Sequence, residues 1–251
     1  MFGKKKGKEK KEPPKKPTTW YGKIWYFIWH DNSVASWIVN IILAYLIIKF
    51  IVYPLLGLIF GTGFPIVAVV SNSMEHRTSY LCLTYDSSGA CTMYDYSKNE
   101  ICGKNFDTKQ SLSFDEFWET CQDHYLERNI TKEEFENYPL KNGFNRGDIM
   151  FLIGKKPEDI KIGDVIVFQS KKPYPIIHRV VSKDDKGMWV FQTLGDHNKA
   201  QIRDSELDES QVLQKQLLGK AVLRVPWLGY VKIWFVDLMK MTGLYYVFSP
   251  G

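Results

Sequence analysis

Residues 66–76 read IVAVVSNSMEH. Ile66 to Val70 make a strand-like run that ends at two serines one residue apart, Ser71 and Ser73. A turn would account for the serines. So would a nucleophile set at the end of a strand. The flanking sequence has to decide between them.

Upstream, Val34–Phe60 is apolar almost throughout. About 20 helical residues cross the roughly 30 Å hydrocarbon core of a bilayer, so Val34–Tyr53 would already span it. The polar lead is too long and the apolar run too extended for a cleaved signal, so a transmembrane anchor is expected. Lys49 inside the run would snorkel to the interface. Pro54 and Gly57 are expected to kink or stop the helix. The stretch Trp20–Trp29, rich in Trp and Tyr, suits the headgroup zone, which makes 20–60 an interfacial segment plus anchor. Residues 1–19 read as a basic, disordered tail: positions 4–16 hold eight lysines against two glutamates, with three prolines, Pro13, Pro14 and Pro17, in the same tail. That tail carries the net charge of +5, so the remaining body is nearly neutral and lacks a nucleic-acid footprint. The positive-inside rule assigns the tail to the cytoplasm and everything beyond Gly61 to the outside.

Downstream, residues 75–143 read as an insertion. It holds all four cysteines, Cys82, Cys91, Cys102 and Cys121. None forms a C-x-x-C pair, so no metal is expected. An even count on an exported face suits two disulfides, with three pairings open. Asn129-Ile130-Thr131 is a glycosylation sequon. Ser113-x-x-Glu116 and Thr131-x-x-Glu134 are capping boxes that open two helices, the first with an aromatic stripe at helical spacing. Residues 144–226 switch to strands: Asp148–Ile153, Asp164–Phe168, Pro175–Ser182, Met188–Thr193 and Gly219–Val225, with a helix expected over Asp204–Leu218. With 61–74 they predict a mainly β domain with a partly closed sheet. The last segment, 227–251, is apolar but carries Lys232, Asp237 and Lys240, and reads as membrane-interfacial.

Ser73 needs a base to take its proton. Of five histidines, His30 lies at the membrane entrance, His76 sits in the same turn as Ser73 and His124 in the insertion. His178 and His197 remain. Strand spacing alone favours a satisfied core histidine over a base at His178, and His197 sits in a turn where histidines are commonly solvated. If Met188–Thr193 pairs with Pro175–Ser182 as a hairpin, Asp196 and His178 leave the same end of neighbouring strands, and the carboxylate would hold the imidazole's tautomer. Asp204 is a second acidic candidate, otherwise an N-cap.

The ordered set Ser71-Asn72-Ser73-Met74, Arg146-Gly147-Asp148-Ile149, Gly163-Asp164-Val165-Ile166, Ile177-His178-Arg179-Val180-Val181, Gly195-Asp196-His197-Asn198 and Gly219-Lys220-Ala221-Val222 resembles the type I signal peptidases, in the branch found in archaea and the endoplasmic reticulum. The resemblance implies a mainly β catalytic domain of signal-peptidase type with an N-terminal transmembrane helix; the small helical, cysteine-containing insertion at 75–143 is longer than in compact members of the family. The resemblance implies a serine endopeptidase that removes signal peptides after small residues. Ser73 would be the nucleophile, His178 the general base and Asp196 the orienting acid. Ser71 would join the Ser73 amide as an oxyanion donor, and Asp204 stands for the family's second aspartate. No cofactor is implied. Signal peptides, the lipid bilayer and the protein-translocation machinery are the expected partners, with the catalytic domain extracytoplasmic, or luminal in a eukaryote. Two departures are visible: His76 stands where many members have Pro, and Asp204 lies eight residues after Asp196, where members have about six. The rival from another class is a non-catalytic membrane-tethered binding or assembly module. A second rival is a peptidase of the same chemistry that processes a narrow set of surface proteins.

Overall fold

The computed structural model describes residues 17–85, 91–230 and Trp234, without the side chains of residues 81, 82, 85, 91 and 97. The chain divides into two compact units, 1–55 and 56–251. In the first, helix α1 (Trp20–Trp29) is followed by α2 (Val34–Ile47), which Ser33 caps by accepting the Ser36 N–H. Asn40 Nδ2 donates to the Ile28 C=O at 2.9 Å, tying α2 to α1. A π-helical turn (Ile48–Val52) leads into α3 (Tyr53–Phe60).

Pro54 lacks an N–H and crowds the preceding turn, which accounts for the widened turn just before it. The expected stop at Pro54 or Gly57 does not occur: the turn before Pro54 widens, and helical structure continues to Phe60. The whole 27-residue stretch Val34–Phe60 is long and apolar enough to cross a membrane. It ends in a Schellman arrangement: Gly61 takes a φ of +66°, and the Thr62 N–H reaches back to the Gly57 C=O at 3.1 Å.

The second unit begins within α3, at Leu56, and its first strand is β1 (Ile66–Ala68). The insertion follows, with β2 (Ser79–Tyr85), β3 (Cys91–Ile101), β4 (Lys104–Phe106), α4 (Phe114–Cys121), α5 (Asp123–Leu126) and α6 (Lys132–Glu136). Strands β2, β3 and β4 make a sheet of their own, for which the sequence carried no clear alternation. Both capping boxes form as read, at Ser113/Glu116 and Thr131/Glu134. The chain then adds β5 (Ile149–Ile153), β6 (Val165–Phe168), β7 (Ile176–Asp185), β8 (Trp189–Leu194), β9 (Val212–Leu213) and β10 (Leu217–Val225). These pair antiparallel in the order β1-β5-β10-β6-β7-β8-β9.

The helix expected over Asp204–Leu218 does not form. Asp204 accepts the N–H groups of Glu206 and Leu207 at 2.8 and 2.7 Å and closes a tight turn instead. The Glu209 N–H then meets the Ile202 C=O at 2.9 Å, and the chain returns as a hairpin into β9, a 3₁₀ turn (Gln214–Gln216) and β10.

Alternation along β7 separates two faces. Val180 joins Ile166, Phe168, Phe191 and Val212 in one core cluster. Val181 and Leu194 face the other way, into a core built mostly by the insertion: Ile101, Phe117, Trp118, Tyr125, Ile130 and Phe135. The aromatic stripe of α4 is thus the core of the insertion and also its seat on the main sheet. Most of 227–251 and residues 1–16 lie outside the described residues.

Candidate active site

The residues after β1 build the turn that carries Ser73. The Glu75 N–H donates to the Asn72 C=O at 3.0 Å, with Ser73 and Met74 between them. Met74 is fully buried, in the cluster of Val69, Met150 and Leu152. Glu75, also buried, accepts from Arg77 Nε at 2.6 Å and from the Arg146 N–H at 2.9 Å. The turn is held by its second half, which leaves Ser73 half-buried and within reach of solvent.

Ser73 Oγ lies 2.8 Å from His178 Nε2, and Ser71 Oγ lies 3.1 Å from Ser73 Oγ. His178 is 3% exposed. Its position on β7 puts it on the face shared with Val180. Its Nδ1 lies 2.5 Å from Glu209 Oε1. Glu209 is fully buried and fully partnered: Thr193 Oγ1 donates to Oε1 at 3.0 Å and the Ile202 N–H to Oε2 at 2.8 Å. A carboxylate only accepts, so the proton sits on Nδ1 and the Nε2 lone pair faces the serine hydroxyl.

Asp196, expected at His178, is elsewhere. It leaves the correct end of β8 on the opposite face. Leu194 pairs directly with Arg179, and Asp196, two residues on, continues that side. Its oxygens take Arg179 Nε at 2.9 Å, Arg179 Nη2 at 2.7 Å, His76 Nε2 at 3.0 Å and the Tyr125 hydroxyl at 3.0 Å. Burial alone would raise this carboxyl's pKa. The Arg179 charge and the hydrogen bonds from His76 and Arg179 outweigh burial and hold the group well below the usual carboxylate range. Asp204, the other acidic candidate, caps its exposed turn at the hairpin tip and does not meet His178.

His76 does not face Ser73. It stacks on Phe117 with ring centroids 3.5 Å apart, and burial pushes its pKa down against the pull of Asp196. His197 is not merely solvated: Nδ1 meets the Glu75 C=O at 3.2 Å and Nε2 meets Ser79 Oγ at 2.9 Å. The turn around it braces Ser73, because the His197 N–H donates to the Ser73 C=O at 2.9 Å. Gly195 sits tight against both Ser73 and His178. A Cβ there would lie 2.7 Å from the Ser73 C=O and 2.9 Å from His178 Nε2.

The sequence reading missed Glu209, thirteen residues after Asp196. The turn signal at Asp204 could have pointed to it, since a hairpin there brings residue 209 back beside Ile202. Of the cysteines, Cys102 and Cys121 are disulfide-bonded, whereas the side chains of Cys82 and Cys91 lie outside the described residues. Asn129 is exposed, with a left-handed φ of +58°.

No family model matches the chain. Curated relatives do match part of it. The signal peptidase complex catalytic subunit SEC11 of Zygosaccharomyces rouxii is 35% identical over 103 residues, 39% of this chain and 61% of the relative. That of Pyricularia oryzae is 34% identical over 100 residues, 38% of this chain and 57% of the relative. Human SEC11C is 31% identical over 105 residues, 40% of this chain and 55% of the relative. The matches thus cover little more than half the length of these relatives. Over these residues the chain is homologous to the signal peptidase complex catalytic subunit SEC11.

Proposed function

We propose that this chain is a membrane-anchored serine endopeptidase that removes signal peptides from exported preproteins. The observation that carries the reading is the line Ser73 Oγ, His178 Nε2, His178 Nδ1, Glu209 Oε1, with spacings of 2.8 and 2.5 Å across the two hydrogen bonds. Homology to the SEC11 subunits supports it independently.

In this mechanism Ser73 Oγ attacks the scissile carbonyl while its proton passes to His178 Nε2. Glu209 holds the Nδ1 proton and balances the imidazolium. His178 then returns the proton to the leaving amine, leaving an acyl-serine. Water, deprotonated by His178, hydrolyses the ester and restores the hydroxyl. Ser71 Oγ, beside the nucleophile, donates to the developing oxyanion. Removing one such donor costs about 10²–10³-fold in rate, which sets the expectation for kcat in Ser71→Ala. In this assignment Glu209 replaces Asp196 as the orienting acid, and Asp204 has no part in the chemistry. Strand β1 pairs with β5 on one side, so an extended substrate adds along its other edge toward Ser73.

The lysine-rich tail belongs in the cytoplasm, and the catalytic unit on the luminal side of the endoplasmic reticulum. Asn129 is there a glycan acceptor. As its relatives are subunits of a complex, this chain acts beside partner subunits and near the translocation machinery.

The test is cleavage of a preprotein by the full chain in liposomes, beside Ser73→Ala. Cleavage after a small residue, lost in Ser73→Ala, is the expected result. Cleavage that survives the substitution would overturn the assignment.

A further inference from the structure

The insertion touches the turn that braces the nucleophile through His76, Glu75 and Ser79, as described above, and through two further residues, Tyr125 and Cys102. The turn runs from Gly195 to Asn198, closed by the Asn198 N–H on the Gly195 C=O at 2.9 Å. Its Asp196 side chain accepts from the Tyr125 hydroxyl of α5 at 3.0 Å. Its His197 C=O accepts from the Cys102 N–H at 2.9 Å. Cys102 Sγ also lies 3.2 Å from the Asp196 C=O, as a contact only, because a disulfide sulfur has no proton to donate. Tyr125 and Cys102 are joined: Cys102 is bonded to Cys121 at the end of α4, one helical turn before Tyr125.

The other side of the same turn meets the reacting groups. The His197 N–H grips the Ser73 C=O, and Gly195 packs against His178 Nε2. A shift of the turn therefore moves Ser73 relative to its base. Hydrogen-bonded catalytic pairs tolerate little of this, since a misplacement of about 1 Å can cost about 10²-fold in rate.

We propose that Tyr125 is a positioning residue for Ser73, and that the Cys102–Cys121 disulfide holds Tyr125 and Cys102 against the Gly195–Asn198 turn. The insertion is thus a working part of the site, and catalysis depends on an oxidised disulfide about one turn away from the residue it serves. The proposal rests on the serine-peptidase reading above. A bland alternative is that Tyr125 only fills the aromatic core, where its ring packs on Phe117, Trp118 and Phe135. Tyr125→Phe keeps that ring and removes only the hydroxyl, so it separates the two.

The experiment measures kcat and KM for the full chain in liposomes, with Ser73→Ala as the blank, well below each variant's unfolding temperature. In Tyr125→Phe, kcat is expected to fall about 10-fold or more with KM little changed. Wild-type kcat in a folded Tyr125→Phe overturns the proposal, even if its melting temperature drops. Should that variant fail to fold, the disulfide supplies the second readout, in a Cys82→Ser/Cys91→Ser background that confines the reductant's effect. Reduction, with Cys102 and Cys121 shown to be alkylated in a parallel sample, is expected to lower kcat and reoxidation to restore it. Unchanged kcat after verified reduction overturns the proposal. Absence of Ser73-dependent cleavage by the wild type would instead remove the peptidase reading, and this inference with it.

Discussion

His178 has one carboxylate partner, Glu209, while Asp196 sits on the far face of the same sheet with Arg179. Substitutions at the two acids should therefore fail differently. Glu209→Gln keeps the size but no longer holds the imidazole's proton on Nδ1 or balances its charge. Its kcat should drop about 10⁴-fold, the scale seen when a triad acid becomes an amide, while the fold persists. Asp196→Ala leaves Arg179 charged and unpaired in a site that is 0% exposed at the arginine. Breaking a buried pair in this way costs about 3–5 kcal/mol of stability, so its main signature is a lower unfolding midpoint. Equal loss of kcat in folded samples of both would contradict the assignment. Gly195→Ala tests the close approach. Its Cβ would press on the Ser73 C=O and His178 Nε2 at 2.7 and 2.9 Å, and kcat is expected to fall about 10²-fold.

At the scale of elements, the site depends on three segments that share no secondary structure: the Asn72–Glu75 turn, β7, and the hairpin that follows β8. His76 joins the first of these to α4 through its stack on Phe117. Burial depresses the pKa of His76, as it does that of His197, below the usual 6.5. Below that pH the unfolded chain takes up protons that the folded chain refuses. Stability is therefore retained above the ordinary histidine pKa and lost as pH falls beneath it. The urea midpoint should decline between about pH 7.5 and 5.5, and His76→Asn should flatten the decline without abolishing it, because His197 remains. A midpoint that rises on acidification would mean that His76 folds as a cation on Asp196. Local signals for the helices were read correctly because capping boxes are short-range: Ser113 and Thr131 need only the residue three positions on. The helix expected over Asp204–Leu218 failed for the same kind of reason, since Asp204 bonds to amides two and three residues away and bends the chain before a helix can start.

For the whole molecule, the 27-residue stretch Val34–Phe60 offers its apolar side chains outward, with Ile38, Ile42, Leu46 and Leu58 among them. Among the described residues they are left exposed, and a bilayer would cover them. The protein should stay in the membrane pellet after an alkaline wash. An Ile42→Asp/Leu46→Asp variant should be released, because each charge near the centre of a span costs about 2.5–3.5 kcal/mol on insertion. Release of the wild type by the same wash would remove the anchor from the account.

What the sequence determined was local: the apolar run long enough to span, a strand beginning at Ile66 though it stops at Ala68 and not at the serines, the apolar strand runs around Ile166 and Val180, the two capping boxes, and a family resemblance that pointed to Ser73 and His178. Each is encoded by neighbours a few residues apart. What only the tertiary structure decided was which groups meet across the sheet. Strand parity turned Asp196 toward Arg179. The hairpin at Asp204 returned Glu209 to His178 from thirteen residues beyond Asp196. Packing of α4 and α5 on the Val181 and Leu194 face brought Tyr125 to Asp196. A hydrogen bond between side chains far apart in sequence depends on face and register at once, and a one-residue step along a strand reverses the face.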